Sequence, residues 1–337
     1  MKKILSSFVV MMMATVGFAQ SSMLATLSHE GEISTFYGAR ALVEAYNAAD
    51  NGDVITLSSG SFVATNIEKG LTIRGAGMAI DATTQTEPTI ITGDFQINIP
   101  EEVTTRLTLE GIYHNHTITV VSTFKNGTFI KDRFKTITYS NVTITNLTMI
   151  NCFVSGNLEL PQNSSVSCVN CVIWEPRGYN ETSNFEFSNC ILGKRDWSYD
   201  VKSSSIKNCI LYGWESPESW NMIPSSNTVY NSVACGTNPG SRFNDIPNTT
   251  NKVVEDMSTL FKTFTGTYSD SELYELTDEA KAAYIGLDGK EVGIYGGMMP
   301  YSSTPTNPQI TKCNVASKST ADGKLSVDIT VGSSDPD

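Results

Sequence analysis

Apolar and polar residues alternate along much of this chain, and the alternation is itself repeated. Leu147 and Met149 precede Asn151-Cys152, and Phe153 follows. Nineteen residues on, Val166, Cys168, Asn170-Cys171 and Val172 fill the same places. Phe185, Phe187, Asn189-Cys190 and Ile191 come next, then Ser204, Ile206, Asn208-Cys209 and Ile210. A fifth, looser copy has Asn227, Val229, Asn231, Ser232 in the cysteine's place, and Val233. Period-2 alternation ahead of each Asn predicts a strand with one buried face. The fixed spacing predicts a solenoid with one coil per repeat. Nineteen residues leave no room for a crossover helix in each coil, so the strands must stack in parallel.

Three solenoids compete for this pattern. A leucine-rich repeat would put the Asn three residues after the second apolar position, and here it stands two after. A left-handed hexapeptide helix would show a six-residue sub-period, which is missing. A right-handed single-stranded parallel β-helix fits, with Asn at each sharp bend because Asn tolerates the left-handed backbone region. Stacked amides are then expected to hydrogen-bond from coil to coil, as in cross-β ladders.

The same geometry places Cys152, Cys171, Cys190 and Cys209 one above another at strand spacing, about 4.8 Å. In-register Cβ atoms stay about as far apart, beyond the disulfide limit near ~4.5 Å. The row therefore reads as buried reduced thiols acting as small hydrophobes. One Cys-x-x-C pair, Cys168 and Cys171, falls inside a coil without a second pair or a nearby His, so no metal site is expected.

Strand-like runs continue upstream at Leu71–Gly77, Pro88–Ile97, Arg106–Tyr113 and Asn141–Ile150. Before them Phe36, Ala39, Leu42, Val43 and Tyr46 mark one helical face, with Ser34 as its cap. An open solenoid end exposes strand edges and core, so a capping element is required there. A helix, then "NGDVITLSSGSF", then "LTIRGAG" resembles the opening of pectin-lyase-like parallel β-helix proteins, and with the Asn row the resemblance covers about residues 34–240. It implies the fold. It leaves the function open among lyases, glycoside hydrolases, esterases and non-enzymatic surface proteins.

After Cys235 the repeat stops. A short helix is expected near Thr277–Tyr284, and "GLDGKEVGIYGGMMPY" (Gly286–Tyr301) resembles a closing segment of exported β-helix proteins. "ITKCNVASKSTADGKLSVDITV" alternates around "TADGK" and predicts a hairpin. The chain thus divides into a signal peptide (1–19), an N-terminal extension (20–33), a helically capped β-helix (34–240), an irregular closing segment (241–301), and a linker with a hairpin tail (302–337).

Composition narrows the partners. The formal net charge is −12, which repels nucleic acid and anionic lipid. Lys2 and Lys3, an apolar run from Ile4 to Val16 and "GFA" before Gln20 make a secretory signal with a cut after Ala19. Its "FAQ" ending resembles export signals of Bacteroidota-type bacteria. No later run approaches the roughly 18 apolar residues of a membrane span. An exported protein, periplasmic, cell-surface or extracellular, is expected.

Chemistry has one candidate location. All four tryptophans, Trp174, Trp197, Trp214 and Trp220, follow the Asn bends of successive coils. Arg177, Lys194 and Arg195 are interleaved with Glu175, Asp196, Asp200 and Glu215. Aromatic faces stack on sugar rings and Arg pairs with carboxylates, so Trp174, Arg177, Arg195, Asp196, Trp197, Trp214 and Glu215 are the candidate polysaccharide-binding residues. The resemblance implies, for a lyase, a basic residue beside a carboxylate neutralised by Ca²⁺ or basic groups, and for a hydrolase an Asp pair. Neither constellation is visible in full, so no catalytic residue and no cofactor is assigned, with Ca²⁺ reserved for the lyase case. "YHNHT", with His114 and His116, lacks the further ligands a metal needs. Three readings stay open: loops that pack their own aromatics, glycan binding without chemistry, and catalysis. A structural or adhesin-like surface protein is the alternative to a polysaccharide-binding or -processing one.

Overall fold

Each repeat Asn turns the chain from one sheet into another. Asn151, Asn170, Asn189, Asn208 and Asn231 all have left-handed backbone, with φ between 44° and 55°. Gly111 and Lys131 hold the equivalent corners of the two preceding coils, at φ 67° and 52°. The computed structural model describes residues 23–81, 86–140, 142–178, 182–194, 201–213, 223–236, 239–246, 250–263, 273–304, 309–315, 318–320 and 322–332. The signal segment 1–19 lies outside them. Within them the protein is a parallel β-solenoid of about 8 turns.

Two 11-stranded sheets line the coils. The first runs through Leu107–Glu110, Gly127–Ile130, Leu147–Ile150, Ser165–Val169, Asn184–Ser188, Ser205–Lys207 and Thr228–Tyr230. The second runs through Ile112–Val120, Arg133–Tyr139, Phe153–Leu160, Val172–Gly178, Ile191–Lys194, Ile210–Gly213 and Val233–Gly236. Its longer strands shift register midway, at Phe134/Ile137 and Val154/Asn157, and bend there. The residues ahead of the corners, Leu147, Met149, Val166, Cys168, Phe185 and Phe187, fill the inside of the coils.

The capping helix is present but shorter than expected, Ala41–Ala48. It buries Ala41, Leu42, Ala45 and Tyr46, and Arg40 precedes it without a side-chain cap. Ser34 and Phe36 are instead in the strand Glu32–Tyr37. That strand pairs antiparallel with Leu24–His29, which pairs antiparallel with Val54–Leu57, so a hairpin shares the capping of this end. β-branched and aromatic residues at 33–37 favour extended chain over a helical turn. The short C-terminal helix is Asp278–Ala283, with the Thr277 hydroxyl accepting the Ala280 N–H at 3.1 Å. Gln309–Val315 and Val327–Gly332 form the expected hairpin as a sheet of their own.

The Asn row differs from a simple amide ladder. One bond joins two of its members, Asn208 Nδ2 to Asn189 Oδ1 at 3.4 Å. The amides of Asn231, Asn208, Asn189 and Asn170 reach a strap, residues 285–304, that runs back along the corner, while Asn151 Oδ1 is buried without a hydrogen-bond partner. Asn231 donates to the Ile285 carbonyl at 3.4 Å, and Asn208 Oδ1 accepts the Leu287 N–H at 3.0 Å. Asn189 donates to Gly293 at 3.4 Å, and Asn170 to both Ile294 and Gly296 at 2.7 and 2.8 Å. At the far end Lys131 Nζ donates to Thr304 at 2.8 Å. The amides prefer the strap because its carbonyls would otherwise be buried without donors. The strap's glycines permit the approach: a Cβ on Gly296 would stand 1.7 Å from the Glu291 carbonyl oxygen and 2.9 Å from Asn189 Nδ2.

The thiol row is buried and unbridged, as the spacing requires; Cys152, Cys171, Cys190 and Cys209 are each 0% exposed. The thiols are also hydrogen-bonded, which the reading as plain hydrophobes missed. Cys171 Sγ accepts the Cys152 N–H at 3.4 Å and donates to Val169 O at 3.3 Å. Burial pushes the thiols of Cys168, Cys171 and Cys209 well above their ordinary range. Further buried polar side chains, Ser164, Ser183, Ser204 and Asn227, each stand just ahead of a strand of the first sheet. There Ser204 Oγ accepts the Phe185 N–H and Asn227 Oδ1 the Ser204 N–H, at 3.0 and 2.9 Å.

Two outcomes are expected. Asn170→Ala strips two buried strap carbonyls of their donor and should cost about 3 kcal/mol in denaturant unfolding, while Asn170→Gly, which restores the left-handed corner but not the bonds, should recover only part. The row thiols should resist alkylation in the folded protein and react fully in denaturant, with Cys171→Ser costing less than ~2 kcal/mol because Ser232 already shows that a hydroxyl serves there.

Candidate functional site

The second sheet has an apolar outer face as well as an apolar inner one. Past each Asn-Cys the side chains at alternate positions point out of the coil: Phe153, Val172 and Trp174, then Ile191, Ile210 and Tyr212. The closing segment lies on this face and buries it with Met257, Leu260, Phe261, Leu276, Val292 and Ile294. The region read as irregular is therefore the cover of a second hydrophobic core, outside the coils.

That cover decides the position of the first candidate tryptophan. Trp174 is 8% exposed and belongs to the outer core. Its ring lies against Tyr212, centroids 5.2 Å apart, and over Gly193, where a Cβ would stand 2.2 Å from the indole. A Trp so packed offers no open face to a sugar. Arg177 Nε donates to Glu175 Oε2 at 3.1 Å and Nη2 bonds the same oxygen, so this pair is half-buried and mutually neutralised. Arg195, Asp196, Trp197, Trp214 and Glu215 lie outside the described residues, as does Trp220. The structure thus brings Trp174 into a core and Arg177 onto Glu175, and does not join these two in one cleft.

A cavity of about 140 Å³ opens beside this face, two coils toward the N-terminus. Arg133 and Phe153 form its floor, Tyr295 and Tyr301 of the strap one wall, and Met78 and Leu273 the others. The Arg133 guanidinium carbon is 4.9 Å from the Phe153 ring centroid and 5.3 Å from that of Tyr113, a cation held between aromatic faces. Tyr301 stands edge-on to Tyr295 at 6.3 Å, and burial raises its hydroxyl above the usual phenol range. The Tyr295 hydroxyl donates to Leu273 O at 2.8 Å. Among the described lining residues Arg133 is the charged one. Sequence reasoning missed this site because its walls come from residues about 160 positions apart. The available signal was the clustering of Tyr295 and Tyr301 in the glycine-rich segment.

The histidines do not converge on a metal. His114 is buried, Nε2 donating to Gly93 O at 2.9 Å, and burial lowers its pKa, so it is a neutral core residue. His116 Nδ1 stands 3.9 Å from Asp94 at the surface. His29 contacts Asp53 at 2.9 Å, in the turn after the capping helix. Among the described residues no three His, Cys, Asp or Glu side chains are placed to hold an ion. Arg242, absent from the sequence candidates, is fully buried beneath the outer core, and Nη1 donates to Leu211 O at 3.1 Å and Cys235 O at 3.2 Å. Burial lowers its pKa to about 10, which leaves it charged at neutral pH.

Trp174→Ala is expected to behave as a core truncation, costing about 3–5 kcal/mol in denaturant unfolding; an unchanged midpoint would mean that the outer core does not depend on this ring. No family model, curated protein or solved structure matches the chain.

Proposed function

We propose that this is an exported, pectin-lyase-like β-solenoid that binds polysaccharide along the flank of its second sheet. One observation supports the reading most: the cavity in which Arg133 lies among Phe153, Tyr295 and Tyr301, on the outer face of the second sheet that also carries Trp174. Rings can stack on sugar faces, and the guanidinium can hold a hydroxyl or a carboxylate. A cavity of this size takes one ring, so the cavity would grip a single unit. A second reading, a structural or adhesin-like surface protein, is favoured by Trp174, whose ring is consumed by packing.

A panel of acidic and neutral polysaccharides, scored for binding and for unsaturated or reducing-end products with and without Ca²⁺, separates the readings. Binding that weakens about tenfold in Arg133→Ala, with the fold retained, is expected for the lead reading. Products would add catalysis to it. Absence of binding to every polymer would overturn it and leave the structural reading.

A further inference from the structure

The buried row behind the Asn corners has a carboxylic acid among its members, Asp132. Strand register runs it from Ile112 through Asp132, Cys152, Cys171, Cys190, Cys209 and Ser232, with Asn251 at the end. Its polar side chains do two jobs. They accept the N–H of the row residue one coil earlier: Cys171 from Cys152 at 3.4 Å, Cys209 from Cys190 at 3.3 Å, Ser232 from Cys209 at 3.1 Å, and Asn251 from Ser232 at 3.0 Å. They also donate to a carbonyl, either two residues back or one coil back. Cys152 donates to Ile150 and Phe129, Cys190 to Ser188 and Cys168, Ser232 to Tyr230, and Asn251 to Val229.

Asp132 does the first job: its Oδ1 accepts the Ile112 N–H at 2.8 Å. The residue is 0% exposed, and its Oδ2 is buried with no hydrogen-bond donor. The register places the carbonyls of Ile130 and Leu109 where those of Ile150 and Phe129 serve Cys152. A carboxylate has no proton to give them and would set a charge against carbonyl oxygens.

We propose that Asp132 stands in the folded protein as a neutral carboxylic acid, donating from Oδ2 to the main-chain carbonyl of Ile130 or Leu109, and that its ionisation makes this coil the base-sensitive joint of the solenoid. The groups around it agree. Burial acts first, Cys152 on the coil after and Glu110 on the coil before add to it, and main-chain hydrogen bonds at Ile112 and Ile130 oppose it, so that on balance the carboxyl is held well above the usual range. Glu110 is itself bonded to Arg74 at 3.0 Å. The flanking cations are committed elsewhere: Lys131 reaches the strap at Thr304, and Arg133 lies over the Tyr113 and Phe153 rings, close to Tyr301 of the strap. The joint therefore sits under the strap's last anchor and behind the cavity.

The sign follows from linkage. A carboxyl raised on folding gives its full stabilisation below the unfolded aspartate value, ~3.9, and loses it as pH rises toward the folded value. Asp132→Asn keeps both jobs, as Asn251 does, and cannot ionise. Denaturant unfolding of both proteins across this pH range should show the wild-type unfolding constant rising about tenfold per pH unit relative to the variant. The infrared band of a protonated carboxyl should be present in the wild type at pH 7 and missing from Asp132→Asn. If Asp132→Asn does not fold, Asp132→Cys, the residue type of the next four coils, takes its place in both measurements. Parallel pH profiles, or no acid band lost with the side chain, would overturn the proposal.

Discussion

The constraint on which this structure depends is the need to turn an extended chain sharply once per coil without burying an unpaired peptide group. Each turn costs a left-handed residue, and a left-handed residue in the middle of a stack leaves main-chain groups and side chains facing whatever comes next. Asn at the corner accepts the backbone geometry and supplies an amide. The residue after it closes the next gap by taking an N–H from the coil before and giving a proton to a carbonyl. Gly111 and Lys131 show that other residues can hold the corner, and Asp132 and Ser232 that other groups can hold the row. What recurs at the corner is the left-handed backbone, and what recurs along the row from Asp132 onward is a polar side chain that bonds the main chain of a neighbouring coil.

The strap is the other half of that solution. A corner of amides running down the side of a solenoid would bond to water or to itself. Here it is covered by a glycine-rich stretch whose carbonyls are satisfied by Asn231, Asn189, Asn170 and Lys131 and whose Leu287 N–H is taken by Asn208. Because the same C-terminal region carries Ile294, Val292, Leu276 and Phe261, it also buries the outer face of the second sheet. One segment thus joins consecutive coils along the axis and gives the solenoid a second core. Loss of the strap would expose both an apolar face and a row of polar groups, so the coils and their cover form one cooperative object.

This arrangement bears on function. A bare β-solenoid flank would present its outward aromatics to a ligand. The cover removes Trp174 from that role and creates a smaller, mixed site at its own edge, where strap tyrosines face Arg133. Recognition, on the reading proposed above, belongs to the junction of coil and strap as much as to the coils. The base-sensitive joint inferred at Asp132 lies behind the same junction.

By itself the sequence determined the coil. The nineteen-residue period, the apolar residue two before each Asn and, in the first three copies, four before it, and the Asn itself dictated parallel stacking, left-handed corners and unbridged thiols, because these follow from local periodicity and strand spacing. It also showed that a helix closes one end, though not its length: Ser34 and Phe36 suit a helical pattern as well as the strand they form. Only the tertiary structure decided what the outward positions do. Phe153, Val172 and Trp174 follow the same alternation whether they face solvent, a sugar or a protein cover, and the cover comes from residues 80 to 150 positions away. Period-2 patterning reports which side of a strand a residue takes, and carries no information on what a distant segment lays against that side.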